Sequence, residues 1–270
     1  MNITLALEAL LLGIVEGLTE FLPVSSTGHL ILVGDLLGFE GPPGRVFEVA
    51  IQLGAILAVV CVYFHKLWNV FVRLPVDAAA RRFAIAVFLG FLPSAIVGAT
   101  IHGFIKSVLF NPIIVCIALI LGGFAIIAVE NLVHSERWRR VEDFPASLSL
   151  RIGLFQCMAL IPGVSRSGAT ILGSLLMGVE RRTAAEFSFF VAIPTMLGAT
   201  VYDLYKNHAS LSFDGGALIA IGFIAAFIAA LLVVRSVLDF ISRYGFKPFA
   251  YYRIVLGAVM LGWFLLAGSS

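Results

Sequence analysis

Six apolar runs, near 46–64, 83–103, 112–132, 187–205, 217–234 and 250–267, constrain this chain more than anything else in it. Each is long enough to cross a hydrocarbon core about 30 Å thick as a helix of roughly 20 residues. Backbone amides at that depth have no water to bond, so each spanning segment is read as an α-helix. Residue types agree with the runs: 60% of the 270 residues are hydrophobic and 13% are charged. The mean hydropathy is +1.04. Those values lie far from a soluble domain, and the reading is an all-α integral membrane protein with one membrane domain over residues 1–270.

Two further apolar stretches, about 1–37 and 151–178, are each cut by a polar loop holding proline and glycine: "GLTEFLPVSSTGH" at 17–29 and "IPGVSRSGATIL" at 161–172. Neither half of either stretch spans unaided, so both are read as re-entrant helix pairs. Irregular backbone at membrane depth survives only when enclosed by protein or lining a wet cavity, which makes each loop a candidate site. The N-terminal stretch is not expected to be a removable signal peptide, because no Lys or Arg precedes Arg45 and Glu8, Glu16 and Glu20 stand where an apolar core should be. Cys61, Cys116 and Cys157 sit singly in apolar runs with no metal-ligand spacing and are read as small hydrophobes. No basic patch with interleaved aromatics marks a nucleic-acid partner. The histidines at 65, 102, 134 and 208 and the tryptophans at 68, 138 and 263 fall at run ends and read as structural, interfacial residues.

Lys and Arg crowd the linkers 65–82, 133–150, 179–186 and 235–249, whereas the other three linkers hold only Arg45, Lys106 and Lys206. The rich linkers are therefore expected in the cytoplasm. The six crossings thread between those sides only if the first broken segment enters and leaves from outside and the second from inside, with both termini outside. A shift of 140 aligns the two broken segments without a gap: Gly13 on Gly153, Glu16 on Gln156, Ser25 on Ser165, Thr27 on Ser167 and Gly28 on Gly168. Each half, about 1–135 and 145–270, then reads as one re-entrant pair followed by three crossings. An odd number of crossings turns the second copy over, so the expectation is six transmembrane helices plus two re-entrant pairs in an inverted-topology repeat, with a ligand held between half-helix ends near the midplane.

Glu16 and Glu20 lie one turn apart on a helix that Pro23 ends, so both carboxylates project from one face. An uncompensated carboxylate at that depth costs about 2.5 kcal/mol or more; either one is protonated or the pair shares a cation, and a hard divalent ion suits carboxylate and phosphate oxygens together. The plainer alternative is a helix end facing outer water. After Pro23 come Ser25, Ser26, Thr27, Gly28 and His29. The hydroxyls alone read as helix N-caps and His29 alone as a satisfied interfacial histidine. Beside two glutamates they supply a hydroxyl, a base and carboxylates for nucleophilic or acid–base chemistry. In the second loop, Gly163 and Gly168 flank Ser165, Arg166 and Ser167 at a helix start, with Thr170 one turn on. N-terminal N–H groups, small hydroxyls and a guanidinium fork describe an oxyanion cradle suited to phosphate. The structural alternative pairs Arg166 with Glu16 or Glu20, and either reading turns Arg166 toward the first loop. Glu48 and Gln52 either line the pocket or cap the first full crossing.

The runs "EGLTEFLPVSSTGH" and "PGVSRSGAT", with "FEVAIQLGAILAVV" and "FLPSAIVGA", resemble the undecaprenyl-diphosphate phosphatases of the bacitracin-resistance type over essentially the whole chain. That resemblance implies a multi-pass enzyme of the bacterial inner membrane, its active site opening to the periplasm. It would hydrolyse undecaprenyl diphosphate to the monophosphate carrier reused in peptidoglycan synthesis and so confer bacitracin resistance. It further implies Ser26 as nucleophile, His29 as its acid–base partner, Glu16 and Glu20 as the acidic pair tied to a divalent cation (Mg2+ or Ca2+), and Arg166 as the diphosphate clamp. Ser25, Thr27, Ser165, Ser167 and Thr170 would hydrogen-bond phosphate, with Gly28 and Gly163 admitting it closely. The expected partners are that lipid substrate and the surrounding membrane lipid, and a homodimer is one assembly open to the chain. The rival reading is a polyprenyl-phosphate flippase or anion transporter, because inverted repeats with broken helices are transporter architecture. The acid-phosphatase-like lipid phosphatases are disfavoured, since Leu172 stands where their nucleophilic histidine belongs.

Overall fold

The structure is a computed structural model describing residues 3–39, 41–42, 46–104, 111–133, 136–207 and 213–267, with backbone alone at 101–104, 202–207, 213–214 and 267. Arg45, Lys106, His134 and His208 lie outside the described residues, as do the side chains of His102 and Lys206. Among the described residues eleven α-helices follow in order: α1 Ile3–Thr19, α2 Ser26–Leu37, α3 Val46–Val62, α4 Phe64–Arg73, α5 Ala78–Phe104, α6 Pro112–Leu132, α7 Ala146–Gln156, α8 Arg166–Leu176, α9 Arg181–Asn207, α10 Phe213–Tyr244 and α11 Lys247–Ala267. One-turn 3-10 helices at Val141–Asp143 and Cys157–Leu160 precede and follow α7.

Among the described residues five helices are long and apolar enough to cross a membrane, or six if α3 and α4 count as one bent span. The helices outrun the apolar runs that announced them: α5, α9 and α10 carry polar turns at their ends, because helical hydrogen bonding continues past the thickness that hydrophobicity marks. The first crossing differs most. α3 ends at Val62 and the chain turns by 74° into α4, which carries Phe64, Trp68 and Phe71 on one exposed face. Lys66 of α4 pairs with Glu142 at 3.1 Å, tying that end to the turn before α7. Trp68 and Trp263 are exposed as interfacial anchors would be, but Trp138 packs partly against the core.

The packing partners of the helices repeat. α1 lies along α10 as α7 lies along α5; α3 packs on α10 as α9 packs on α5; α6 pairs with α11 and α3 with α9. Close approach of α1 to α10 rests on small residues: a Cβ at Gly13 would sit 2.9 Å from the Ala225 methyl, and one at Gly17 would sit 2.8 Å from the Ala229 methyl. α9 is the most enclosed of the candidate spans. Its Phe187, Phe189 and Phe190 are buried on all sides, and edge-to-face rings of Phe21, Tyr63, Phe83 and Phe144 surround them. Large apolar side chains cover the outside instead, among them Leu121 and Phe124 of α6, Leu232 of α10 and Val255 and Val259 of α11, as a lipid-facing surface requires.

Candidate active site

The α1–α2 and α7–α8 loops are built alike. Among the described residues the only non-glycine positions with positive φ are Ser25 at 69° and Ser165 at 62°, which are equivalent under the shift of 140. L-residues avoid that region, and strain of this kind gathers at functional sites. Each serine caps the helix it precedes: the Ser25 hydroxyl accepts from the Gly28 N–H at 3.2 Å and the Ser165 hydroxyl from the Gly168 N–H at 3.1 Å. Ser26 and Arg166 thus stand at the first position of their helices, where backbone N–H groups have no intrahelical acceptor and favour an anion.

Two cross-loop bonds, Arg166 to Glu20 and Ser167 to Leu22, bring the halves together. Arg166 Nη2 donates to Glu20 Oε1 at 3.0 Å, and both side chains are more than nine-tenths buried. The other carboxylate oxygen, Oε2, accepts from the Ser26 hydroxyl. Ser167 Oγ donates to the Leu22 carbonyl at 2.8 Å. Arg166 Nη1 is anchored on α9 by the Ser188 carbonyl at 2.7 Å and hydroxyl at 3.2 Å. Arg166 Nε is buried without a hydrogen-bond partner, as are both carboxylate oxygens of Glu16, one turn before Glu20. An unspent guanidinium donor matches an anion, and an unspent buried carboxylate matches a cation or a proton.

Glu20, Ser26 and Arg166 line a partly enclosed cavity of about 500 Å³. Ser25, Thr27, Gly163 and Ser165 also reach it, and so do Glu48 and Gln52. The α5 and α9 part of the lining is mostly apolar, with Phe91, Ala95 and Gly98 of α5 and Met196 and Ala199 of α9 beside the polar Ser94 and Thr195. The other expected site residues stand behind the wall. Glu16 is fully buried. Thr170 donates to Gln156 at 3.0 Å and to the Arg166 carbonyl at 2.9 Å. The His29 ring is hydrogen-bonded elsewhere than to Ser26: its Nδ1 lies 2.8 Å from the Ser25 carbonyl and its Nε2 lies 2.7 Å from the Tyr252 hydroxyl. A carbonyl only accepts, so Nδ1 carries the proton there. The group in hydrogen-bond contact with the Ser26 hydroxyl is Glu20.

Glu16 and Glu20 fit a hard cation as a partial ligand set, since Mg2+ is commonly held by one or two carboxylates plus substrate phosphates. Among the described residues no group of three or more His, Cys, Asp or Glu side chains forms a cage, so the remaining ligands would come from elsewhere. Sequence reasoning missed Ser188, Tyr252 and the fully buried Arg253. A lone serine between phenylalanines in "FSFF" was the available signal for the first; the other two lie at the start of the last apolar run, which offered no signal for them.

Residues 9–259 match the family described as bacitracin resistance protein BacA. The undecaprenyl-diphosphatase 1 of Agrobacterium fabrum is 59% identical over 263 residues, covering 97% of this chain and 98% of the relative. The undecaprenyl-diphosphatase of Sinorhizobium fredii is 57% identical over 263 residues, with the same coverage of 97% and 98%. That of Rhizobium meliloti is 58% identical over 262 residues, covering 96% of this chain and 97% of the relative.

Proposed function

Because this chain belongs to the bacitracin resistance protein BacA family, we propose that it is a membrane enzyme hydrolysing undecaprenyl diphosphate to undecaprenyl phosphate and inorganic phosphate. Relatives at 56–59% identity carry that activity in their names, and the cavity suits the substrate, with polar residues for the diphosphate and apolar ones for the prenyl tail. The observation that carries the reading is the chain Arg166–Glu20–Ser26, drawn from both loops and buried at the cavity wall.

The steps follow from those atoms. Glu20 takes the proton of the Ser26 hydroxyl as its oxygen attacks the terminal phosphorus; the new O–P bond replaces the bridging P–O bond, and undecaprenyl phosphate leaves. Water then attacks the phosphoserine phosphorus, the serine O–P bond breaks, the proton held on Glu20 returns to the Ser26 oxygen, and the protons of the water leave with inorganic phosphate. Arg166, held at the cavity wall by Ser188 and Glu20, supplies the positive charge that the phosphate oxygens meet. His29 keeps Ser25 in its strained conformation through the Ser25 carbonyl. A divalent cation, Mg2+ or Ca2+, held by Glu16 and Glu20 would withdraw charge from the phosphate oxygens when bound.

The finer assignments belong to the same proposal. The two halves form an inverted repeat, a reading supported by the repeated packing pairs and the matching φ angles of Ser25 and Ser165. The site opens to the periplasmic face of the inner membrane, the product re-enters peptidoglycan synthesis, and turnover of the diphosphate lowers bacitracin sensitivity. The test is phosphate release by detergent-purified protein given farnesyl or undecaprenyl diphosphate with Mg2+ or Ca2+. Wild type should release phosphate, chelation of the cation should stop it, and Glu20→Ala, Ser26→Ala and Arg166→Ala should each slow it by at least about 100-fold. A transporter would release none, and an Arg166→Ala rate near wild type would remove the site assignment.

A further inference from the structure

Arg253 of α11 is the largest of the fully buried side chains, 1% exposed, and it holds four backbone carbonyls. Nη1 donates to the Pro23 carbonyl at 2.9 Å and Nη2 to the Gly163 carbonyl at 2.9 Å. Nη2 also donates to Ala118 at 3.2 Å and Nε to Leu119 at 3.3 Å, both on α6. Pro23 and Gly163 are equivalent positions under the shift of 140 that relates the two loops. One guanidinium therefore grips the same carbonyl in each half, from the pairing of α6 with α11. Room for it comes from Gly122, where a Cβ would lie 2.7 Å from the guanidinium carbon.

Each gripped carbonyl stands three residues before a group that the proposed chemistry uses. Pro23 leads through Val24 and the strained Ser25 to Ser26; Gly163 leads through Val164 and the strained Ser165 to Arg166. Carbonyls in irregular backbone at membrane depth need donors, and an arginine fork supplies several in fixed geometry. Resting on the phosphatase reading, we propose that Arg253 is a positioning residue: it sets the two loop apices in register, so that the Ser26 hydroxyl and the Arg166 guanidinium meet one phosphate. Tyr252, its neighbour in sequence, adds to the hold on the first loop through His29.

Two measurements test this. In the phosphate-release assay, Arg253→Met should lower kcat by about 100-fold, as a displacement near 1 Å does, while KM stays within about threefold, because phosphate contacts are left in place. Arg253→Lys, a point charge with three donors, should recover only part of the loss. Gly122→Ala presses a methyl against the guanidinium without weakening α6, so it should shift kcat in the same direction by less; it also serves if Arg253→Met does not fold. The second readout needs no turnover: with the native cysteines replaced and spin labels at the exposed Leu36 and Leu176, the distance distribution between the ends of α2 and α8 should broaden in Arg253→Met and in Gly122→Ala. An unchanged distribution, or a folded Arg253→Met with wild-type kcat, overturns the positioning role. If wild type itself releases no phosphate, the hydrolase reading fails and the distance measurement still decides the clamp.

Discussion

Ser25 and Ser165 carry backbone strain that a glycine would release. A non-glycine residue in the left-handed region costs about 1–2 kcal/mol, whereas replacing an N-cap serine by glycine costs only a few tenths. Ser25→Gly should therefore leave the thermal midpoint of the purified protein unchanged or raise it, with a gain of up to about 1 kcal/mol, while phosphate release falls because Ser26 loses its fixed approach. A loss of more than about 1 kcal/mol would mean that the hydroxyl cap outweighs the strain. The serines were readable as caps from "VSST" and "VSRS", but their conformation was not, since propensity puts serine caps in extended backbone. The partner of Arg166 was readable because a guanidinium at membrane depth needs a carboxylate or carbonyls, and the first loop holds two carboxylates. Arg253 meets the same need with four carbonyls, the loop ones lying 90 and 230 residues away. Nothing in "FAYYRIVLG" points to them.

Helix packing here depends on what is missing from side chains as much as on what they supply. Lipid tails are as apolar as leucine, so helices associate through close contact and not through escape from water. The Gly13–Gly17 step on α1 meets Gly222, Ala226 and Ala230 on α10. Gly17→Leu should force the pair apart and lower stability by about 1–3 kcal/mol, read as an earlier unfolding midpoint in detergent. Gly34→Leu, at a helical glycine with open space around its Cβ position, should cost little by comparison; equal effects would argue against the packing explanation. The crossings themselves were legible because an apolar run of span length has few other uses. α4 was not: "FHKLWNVFVR" mixes apolar and basic residues at helical spacing, so it looks like a linker until the bend after Val62 lays its aromatic face outward.

Whole-molecule topology decides whether the two loops share one chamber or open to different compartments. The helix pairs exchange under the proposed repeat, α1/α10 with α5/α7 and α3/α10 with α5/α9, while the α6–α11 contact maps onto itself and includes the Arg253 bonds to α6. The proposed inverted arrangement would place the re-entrant pairs in opposite leaflets with their apices meeting between them, so that one pair would end outside and the other begin inside. The 140-residue shift aligned the two loops, but it did not tell which helix packs against which, because α1 finds its partner some 200 residues along the chain. Asp35, exposed near the end of α2, and Ser147, exposed at the start of α7, report the two sides. In a background without native cysteines, a membrane-impermeant maleimide added to spheroplasts should label Asp35→Cys at once and Ser147→Cys only after permeabilisation. The reverse pattern would turn the molecule over and open the cavity to the cytoplasm. Labelling of both from outside would contradict opposed loops altogether, and Arg253 could not then join them across a pseudo-twofold axis in the membrane plane.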